Sequence, residues 1–285
     1  MTPAASFPRT TVGGVSLSRM IIGTNWILGW SHTGAAADQM IRRHHERPDA
    51  TAAVLETFLR AGVDTIMGPF AGRDSLFAAI RTAEERTGRR MIIVDTPPIN
   101  VDDTPQARRE AEATIAESKR LGATFCLPHH SSVEQLVNKN SRTIDRLPDY
   151  LAMIRAQGLI PGLSAHMPEL VVYSDLNSYD VETYIQIYNC AGFLMQVEVE
   201  YINKVIWGAK KPVMTIKPMA AGRVSPFVGL SFAWATLRPC DMVTLGCMTP
   251  EEAAEDIEIS LAALERRQPV LEGRSSPNRT AIMST

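Results

Sequence analysis

Five short stretches of the chain end in groups that can hold or move a proton: Asp95-Thr96, His129-His130, Ser164-Ala165-His166, Glu198 with Glu200, and Lys217. Two chemistries suit that set. Histidine, carboxylate and lysine together can shuttle protons on a hydroxy or carbonyl compound, with Lys217 or a histidine steadying developing oxyanion charge. Alternatively, His129 or His130, with His166 and Glu200, can hold a divalent metal (Mn, Zn or Mg) and leave coordination positions open. Singly, each residue has a structural use: Asp95 as a cap, one histidine turned away from its neighbour, Lys217 paired with Glu198. Only their meeting at one rim makes a site, so the elements that carry them decide the matter.

Those elements follow one rhythm of helical run, glycine, then a short apolar run with a polar end. Helices over 51–61, 75–87, 105–121, 147–157 and 180–191 each stop at a glycine, Gly62, Gly88, Gly122, Gly158 and Gly192. Glycine suits the left-handed conformation that closes a helix, and a buried parallel strand reads as a continuous apolar run. The spacing predicts strands over 19–25, 63–67, 91–95, 124–128, 159–164, 193–201, 213–217 and 242–245. Helices over 203–209 and 226–237 complete the set with a last one opening at Thr249-Pro250-Glu251-Glu252, where Thr249 caps and the acids suit the positive end. Eight such units favour a closed (β/α)8 TIM barrel with an N-terminal β-hairpin over 12–17, since no GxGxxG follows the first strand to support an open dinucleotide fold.

In such a barrel the reactive groups sit at the strand C-termini. The expected sixth strand, 193–201, alternates, so Gln196, Glu198 and Glu200 share one face, with Gln196 deepest and Glu200 nearest the rim beside His166. The long loop 26–49 after strand one carries Trp26, Trp30, His32, Asp38, His44 and His45. At that length it is expected to wall or cover the mouth, with a short helix over 35–45 and solvated His44 and His45 as the plainer reading.

Composition narrows the partners. At 285 residues and 45% hydrophobic the chain can bury one large core, expected as a single domain over 1–268 with a tail over 269–285. A net charge of −2 gives no basis for binding nucleic acid or a membrane surface, leaving a small-molecule substrate as the partner. No apolar run has the ~18 residues of a membrane span and residues 1–19 carry none of a signal peptide, so a cytoplasmic protein is expected. The four cysteines lack metal-type spacing and are expected as reduced thiols.

The order of motifs resembles the aldo-keto reductase superfamily. Gly14-Val15-Ser16-Leu17-Ser18-Arg19-Met20-Ile21-Ile22-Gly23-Thr24 is similar to its N-terminal hairpin and first strand, and His129 to its catalytic histidine. Gly162-Leu163-Ser164, Gln196-Val197-Glu198, Lys217-Pro218-Met219-Ala220-Ala221-Gly222-Arg223, and Leu245-Gly246 with Glu251-Glu252 resemble later stations of that family. The resemblance implies NAD(P) at the barrel mouth, with Ser164 and Gln196 on the carboxamide, Lys217, Gly222, Arg223 and Gly246 also at the cofactor, and His129 orienting a substrate carbonyl. Three of the family's four catalytic members are replaced: strand two reads Met67-Gly68-Pro69, no tyrosine occurs from there to Tyr150, strand three ends at Asp95-Thr96, and the asparagine after Ser164 is Ala165. Another acid, His129, His166 or Lys217, must then serve a carbonyl reduction. Residues 247–255 offer no lysine or arginine to a 2′-phosphate, leaving Arg223 as the nearby candidate.

The leading expectation is a divergent oxidoreductase of this kind acting on a small polar carbonyl or polyol-like compound. The alternatives are a metal-dependent isomerase, epimerase or lyase using His130, His166 and Glu200, and a catalytically inactive binding barrel.

Overall fold

In the computed structural model, residues 6–271 are described; of the tail expected over 269–285, residues 272–285 lie outside them. Strands β1 (Arg9–Val12) and β2 (Val15–Ser18) form the expected hairpin. The barrel strands are β3 (Met20–Gly23), β4 (Thr65–Gly68), β5 (Ile92–Asp95), β6 (Phe125–Cys126), β9 (Ile160–Ala165), β10 (Thr183–Ile187), β11 (Val213–Ile216) and β12 (Met242–Leu245). They close in the order β10-β11-β12-β3-β4-β5-β6-β9, with every pairing parallel. The (β/α)8 barrel is thus the fold.

Alternation divides the core in two. Ile21, Met67, Val94, Phe125, Ile185, Met214 and Met242 fill the barrel together with Val12 and Leu17 of the hairpin, which plugs one end. Their neighbours, such as Met20, Ile22, Ile66, Tyr184 and Val243, pack outward against the helices. Because the hairpin closes the end where strands begin, only the C-terminal end is left open to build a site.

The helices are α1 (Asn25–Leu28), α2 (Ala35–His45), α3 (Pro48–Arg60), α4 (Asp74–Thr87), α5 (Pro105–Arg120), α6 (His130–Val133), α7 (Leu147–Ala156), α8 (Glu169–Asn177), α9 (Val199–Gly208), α10 (Pro226–Thr236) and α11 (Pro250–Glu265). A two-stranded insertion, β7 (Val137–Asn138) with β8 (Thr143–Ile144), follows α6. The α11 start is as expected: Thr249 accepts from the Glu252 N–H while the Glu252 carboxylate accepts from the Thr249 N–H. No helix among the described residues is long and apolar enough to cross a membrane.

One barrel strand lies elsewhere than expected. The sixth is β10, within the stretch read as a helix over 180–191, and a helix over 169–177 was missed. Residues 193–201, expected as that strand, are a loop and the first turn of α9, with Glu198 as its N-cap at φ −59°, ψ 150°. Thr-Tyr-Ile-Gln-Ile is rich in β-branched and aromatic residues and is buried throughout, as a strand covered on both faces must be. The alternation of 193–201 instead reflects an exposed loop leading into an amphipathic helix.

Close packing fixes the β3–β4 seam. A Cβ on Gly68 would fall 1.9 Å from Thr24 Oγ1 and 2.9 Å from Thr24 Cβ, so only glycine fits there. Gly68→Ala is expected to cost about 1–3 kcal/mol by overpacking, measured as a lower urea midpoint. An unchanged midpoint would show that the seam opens freely.

Candidate functional site

A cavity of about 510 Å³ opens at the C-terminal ends of the barrel strands. Every barrel strand except β6 lends it residues at or near its end, and the turn after β6 supplies His129 and His130. The first loop forms one side through Asn25, Trp26, Trp30, Ser31 and His32, as expected of a pocket wall, and it carries the short helix α2 as well. His44 and His45 do not line the cavity; His45 is half-buried and bonds Thr51 at 2.9 Å.

Three histidine rings stand in a row. His129 and His130 are 4.1 Å apart between centroids, and His130 stacks on His166 at 3.6 Å with 20° between planes. His129 caps the short helix α6, its Nδ1 accepting from the Ser131 N–H at 3.3 Å. Burial, with the adjacent His130, pulls the His129 pKa down to about 4, and burial with His130 and Lys217 pulls that of His166 down to about 3. Both are neutral imidazoles at neutral pH. Glu134, one helical turn beyond His130, accepts from the backbone N–H groups of His166 (2.6 Å) and Met167 (2.9 Å). Burial opposes its charge, yet His130 and those two N–H groups outweigh burial and hold its pKa below the ordinary carboxylate value.

Across the mouth, Lys217 follows β11 and donates from Nζ to His32 Nε2 at 3.0 Å. Asn25 donates to the same nitrogen at 3.2 Å, so His32 is neutral with its proton on Nδ1. Burial pulls the Lys217 ammonium down from its ordinary value to about 8. His32 is lowered in turn, chiefly by burial and then by the Lys217 charge. Lys217 holds φ +62°, and Ala220 and Ala221 hold +49° and +56°, with His32 at +59° on the facing loop. Positive φ costs a non-glycine residue about 1 kcal/mol or more, so the turn after β11 and the facing loop concentrate strain beside the Lys217–His32 pair.

The remaining wall is hydroxyl and acid. Thr24 Oγ1 and Thr244 Oγ1 are buried without a hydrogen-bond partner among the described residues, and both threonines line the cavity. At the α11 side, burial and the neighbouring Glu252 push the Asp256 carboxyl up to about 7. Burial, with Asp256 and Glu252, raises the adjacent Cys247 thiol well above its ordinary value.

The structure brings together His129, His130, Ser164, His166, Lys217, Gly222 and Gly246 of the expected set. It leaves out the others. Gln196, Glu198 and Glu200 are exposed on the α9 approach rather than on a barrel strand and do not line the cavity. The carboxylate beside His130 and His166 is Glu134, in the position that Glu200 was expected to take. Arg223 lies outside the lining, its guanidinium over the Phe193 ring at 4.0 Å. Asp95 faces the helix layer, accepting from Ser118 Oγ at 2.6 Å and the Phe70 N–H at 3.2 Å, and burial raises its pKa; Thr96 faces the cavity instead. Lys217 pairs with His32 and not with Glu198. Residues passed over were Glu134, Thr24, Thr244 and Asp256. For Glu134 a signal existed in its spacing of four from His130, which places two side chains on one helical face.

No protein-family model and no curated protein matches the sequence. Solved structures do resemble the fold. A Pseudomonas aeruginosa protein provisionally assigned as an aldo-keto reductase superposes with a TM-score of 0.65 at 16% identity, covering 93% of this chain and 100% of its own. An aldo/keto reductase from Klebsiella pneumoniae, solved with NADP and acetate, gives 0.54 at 15% identity over 98% of this chain and 94% of its own. A xylose isomerase-like TIM barrel fused to a 4-hydroxyphenylpyruvate dioxygenase gives 0.51 at 14% identity, over 90% of this chain and 46% of that one. Barrels of different chemistry therefore lie within reach of one another, and fold alone does not choose a reaction. The chain thus has a (β/α)8 barrel fold similar to that of the Pseudomonas and Klebsiella structures, at 15–16% identity.

Proposed function

We propose that the protein is a nicotinamide-dependent oxidoreductase acting on a small polar carbonyl or polyol-like compound. The observation that carries this reading is Lys217: an ammonium partly buried in the cavity wall, held near neutral pKa and aimed by His32. It can take the part of the acid that the chain otherwise lacks.

The wall suits the nicotinamide end of such a cofactor. About 510 Å³ falls within the usual ~300–1,000 Å³ of ligand pockets. Ser164 can meet an amide or ribose, and Gly23 and Gly246 present bare backbone. Residues Ser225 and Pro226, at the N-terminus of α10, offer the positive end of a helix to a phosphate. The Klebsiella protein of similar fold holds NADP, which supports the class of cofactor.

When bound, NAD(P)H supplies a hydride to a carbonyl carbon. Lys217 gives its proton to the carbonyl oxygen as charge develops there, and the neutral His32 keeps the ammonium turned to the cavity. His129, uncharged, can orient the substrate oxygen by hydrogen bonding without competing as an acid.

Charge favours the unphosphorylated form. Lys217 is the one lysine or arginine lining the cavity among the described residues, whereas Glu252 and Asp256 line its α11 side. A 2′-phosphate near the Glu252 carboxylate would be repelled. NADH is expected to bind at least ~10-fold more tightly than NADPH, equal to about 1.4 kcal/mol. Quenching of Trp26 and Trp30 fluorescence during titration measures it. Binding of neither dinucleotide at millimolar concentration would overturn the reading; NADPH binding as tightly as NADH would overturn the charge argument alone.

A further inference from the structure

The stacked histidines have a feature that proton chemistry leaves unused. His130 and Glu134 project from one turn of chain, and His166 reaches them from the end of β9. A ring nitrogen of each histidine and a carboxylate oxygen all lie within 4.8 Å of one another. Glu134 is already aimed. Its Oε1 accepts from two backbone N–H groups, and its Oε2 is left turned to His130 Nδ1 at 3.6 Å, longer than a hydrogen bond. Such outer hydrogen bonds to a carboxylate are what fix it as a ligand before an ion arrives.

We propose that His130, Glu134 and His166 form a binding site for a divalent first-row metal ion, zinc or cobalt, in the wall of the mouth cavity. Two imidazoles and one carboxylate are a borderline-soft set that suits zinc and cobalt better than magnesium or calcium. Around a tetrahedral ion with bonds of about 2.0–2.1 Å, donor atoms sit roughly 3.3 Å apart. The donor atoms lie within 4.8 Å of one another, so the two rings must turn out of their stack to reach that spacing. Both histidines line the cavity, so the fourth position faces it and is open to water or to an oxygen of a bound compound. An ion held there would polarise that oxygen as a Lewis acid. The site stands apart from nicotinamide binding, since none of its three ligands is among the groups assigned to the cofactor.

The test is titration of the full chain, treated with chelator and then freed of it, with Co²⁺ and Zn²⁺. One Co²⁺ per chain is expected, with a visible d–d absorption band and displacement by Zn²⁺. His130→Ala and Glu134→Gln are each expected to weaken binding by about 10–100-fold, while the thermal transition of the metal-free protein stays in place. In Glu134→Gln the side-chain carbonyl can still accept from the two N–H groups; if that variant nonetheless fails to fold, His130→Ala decides, because the His130 side chain holds no backbone group. No stoichiometric binding at about 0.1 mM metal, or binding that survives both substitutions and so belongs to surface histidines such as His44, would overturn the proposal.

Discussion

Lys217→Met is expected to lower kcat for carbonyl reduction by about 10²–10⁴-fold, the usual worth of a positioned general acid, with little change in KM. Methionine keeps the length and the buried stem but can neither donate nor carry charge. The argument rests on burial: it pulls the ammonium from the ordinary lysine range to about 8, where the group is mostly protonated at neutral pH yet gives its proton up readily. The pH profile follows with a definite sign. Lys217 must be protonated to donate, so reduction is level below about pH 8 and falls about tenfold per unit above it. Oxidation of the alcohol needs the neutral amine and rises through the same point. Lys217→Arg keeps the charge but not the accessible pKa, so any remaining reduction should lose its fall near pH 8. A Lys217→Met enzyme within threefold of the parent, or a reduction profile flat through pH 8, would remove Lys217 from the acid's role.

How much of this was legible in the sequence depends on how local the signal was. Glycine-closed helices, the Thr249 capping box and continuous apolar strands are written in neighbouring residues, and the barrel followed from them. Strand β10 was misplaced because Thr183–Ile187 gives no period, being buried on both faces, while the loop into α9 alternates by chance of exposure. Counting strands could not expose the slip, since one false strand replaced one true one. The site was half legible for the same reason. Ser164, His166 and Lys217 sit at strand ends that pattern alone locates. Glu134 and the Lys217–His32 pair depend on a short helix after β6 and on a loop folding back across the mouth, contacts separated by as many as 185 positions in the Lys217–His32 case. Periodicity carries no information on those.

At the opposite end of the barrel, Asp241→Ala is expected to destabilise the fold by about 3–5 kcal/mol. The Asp241 side chain has no exposure and that of Arg238 only 14%. Asp241 Oδ1 accepts from the Val213 N–H at 2.9 Å and from Arg238 Nη2 at 2.7 Å, and Oδ2 from the Arg238 N–H at 3.1 Å and Nε at 2.8 Å. Arg238 in turn donates to the Ala209 and Lys211 carbonyls, so one ion pair ties the end of α9, the start of β11 and the start of β12. Alanine leaves a buried guanidinium without its counter-charge and orphans the Val213 N–H, and both losses carry the full desolvation penalty. Asparagine keeps the shape and part of the bonding, so Asp241→Asn should cost less, about 1–3 kcal/mol. Urea unfolding reads both as a lower midpoint at unchanged slope. Ligand binding by the folded fraction should persist, because residues at the strand N-termini stabilise the barrel and do not build its mouth. A loss under about 1 kcal/mol for Asp241→Ala would mean that the Ala209 and Lys211 carbonyls satisfy Arg238 unaided, and that the attraction of the pair does no more than offset the cost of burying it.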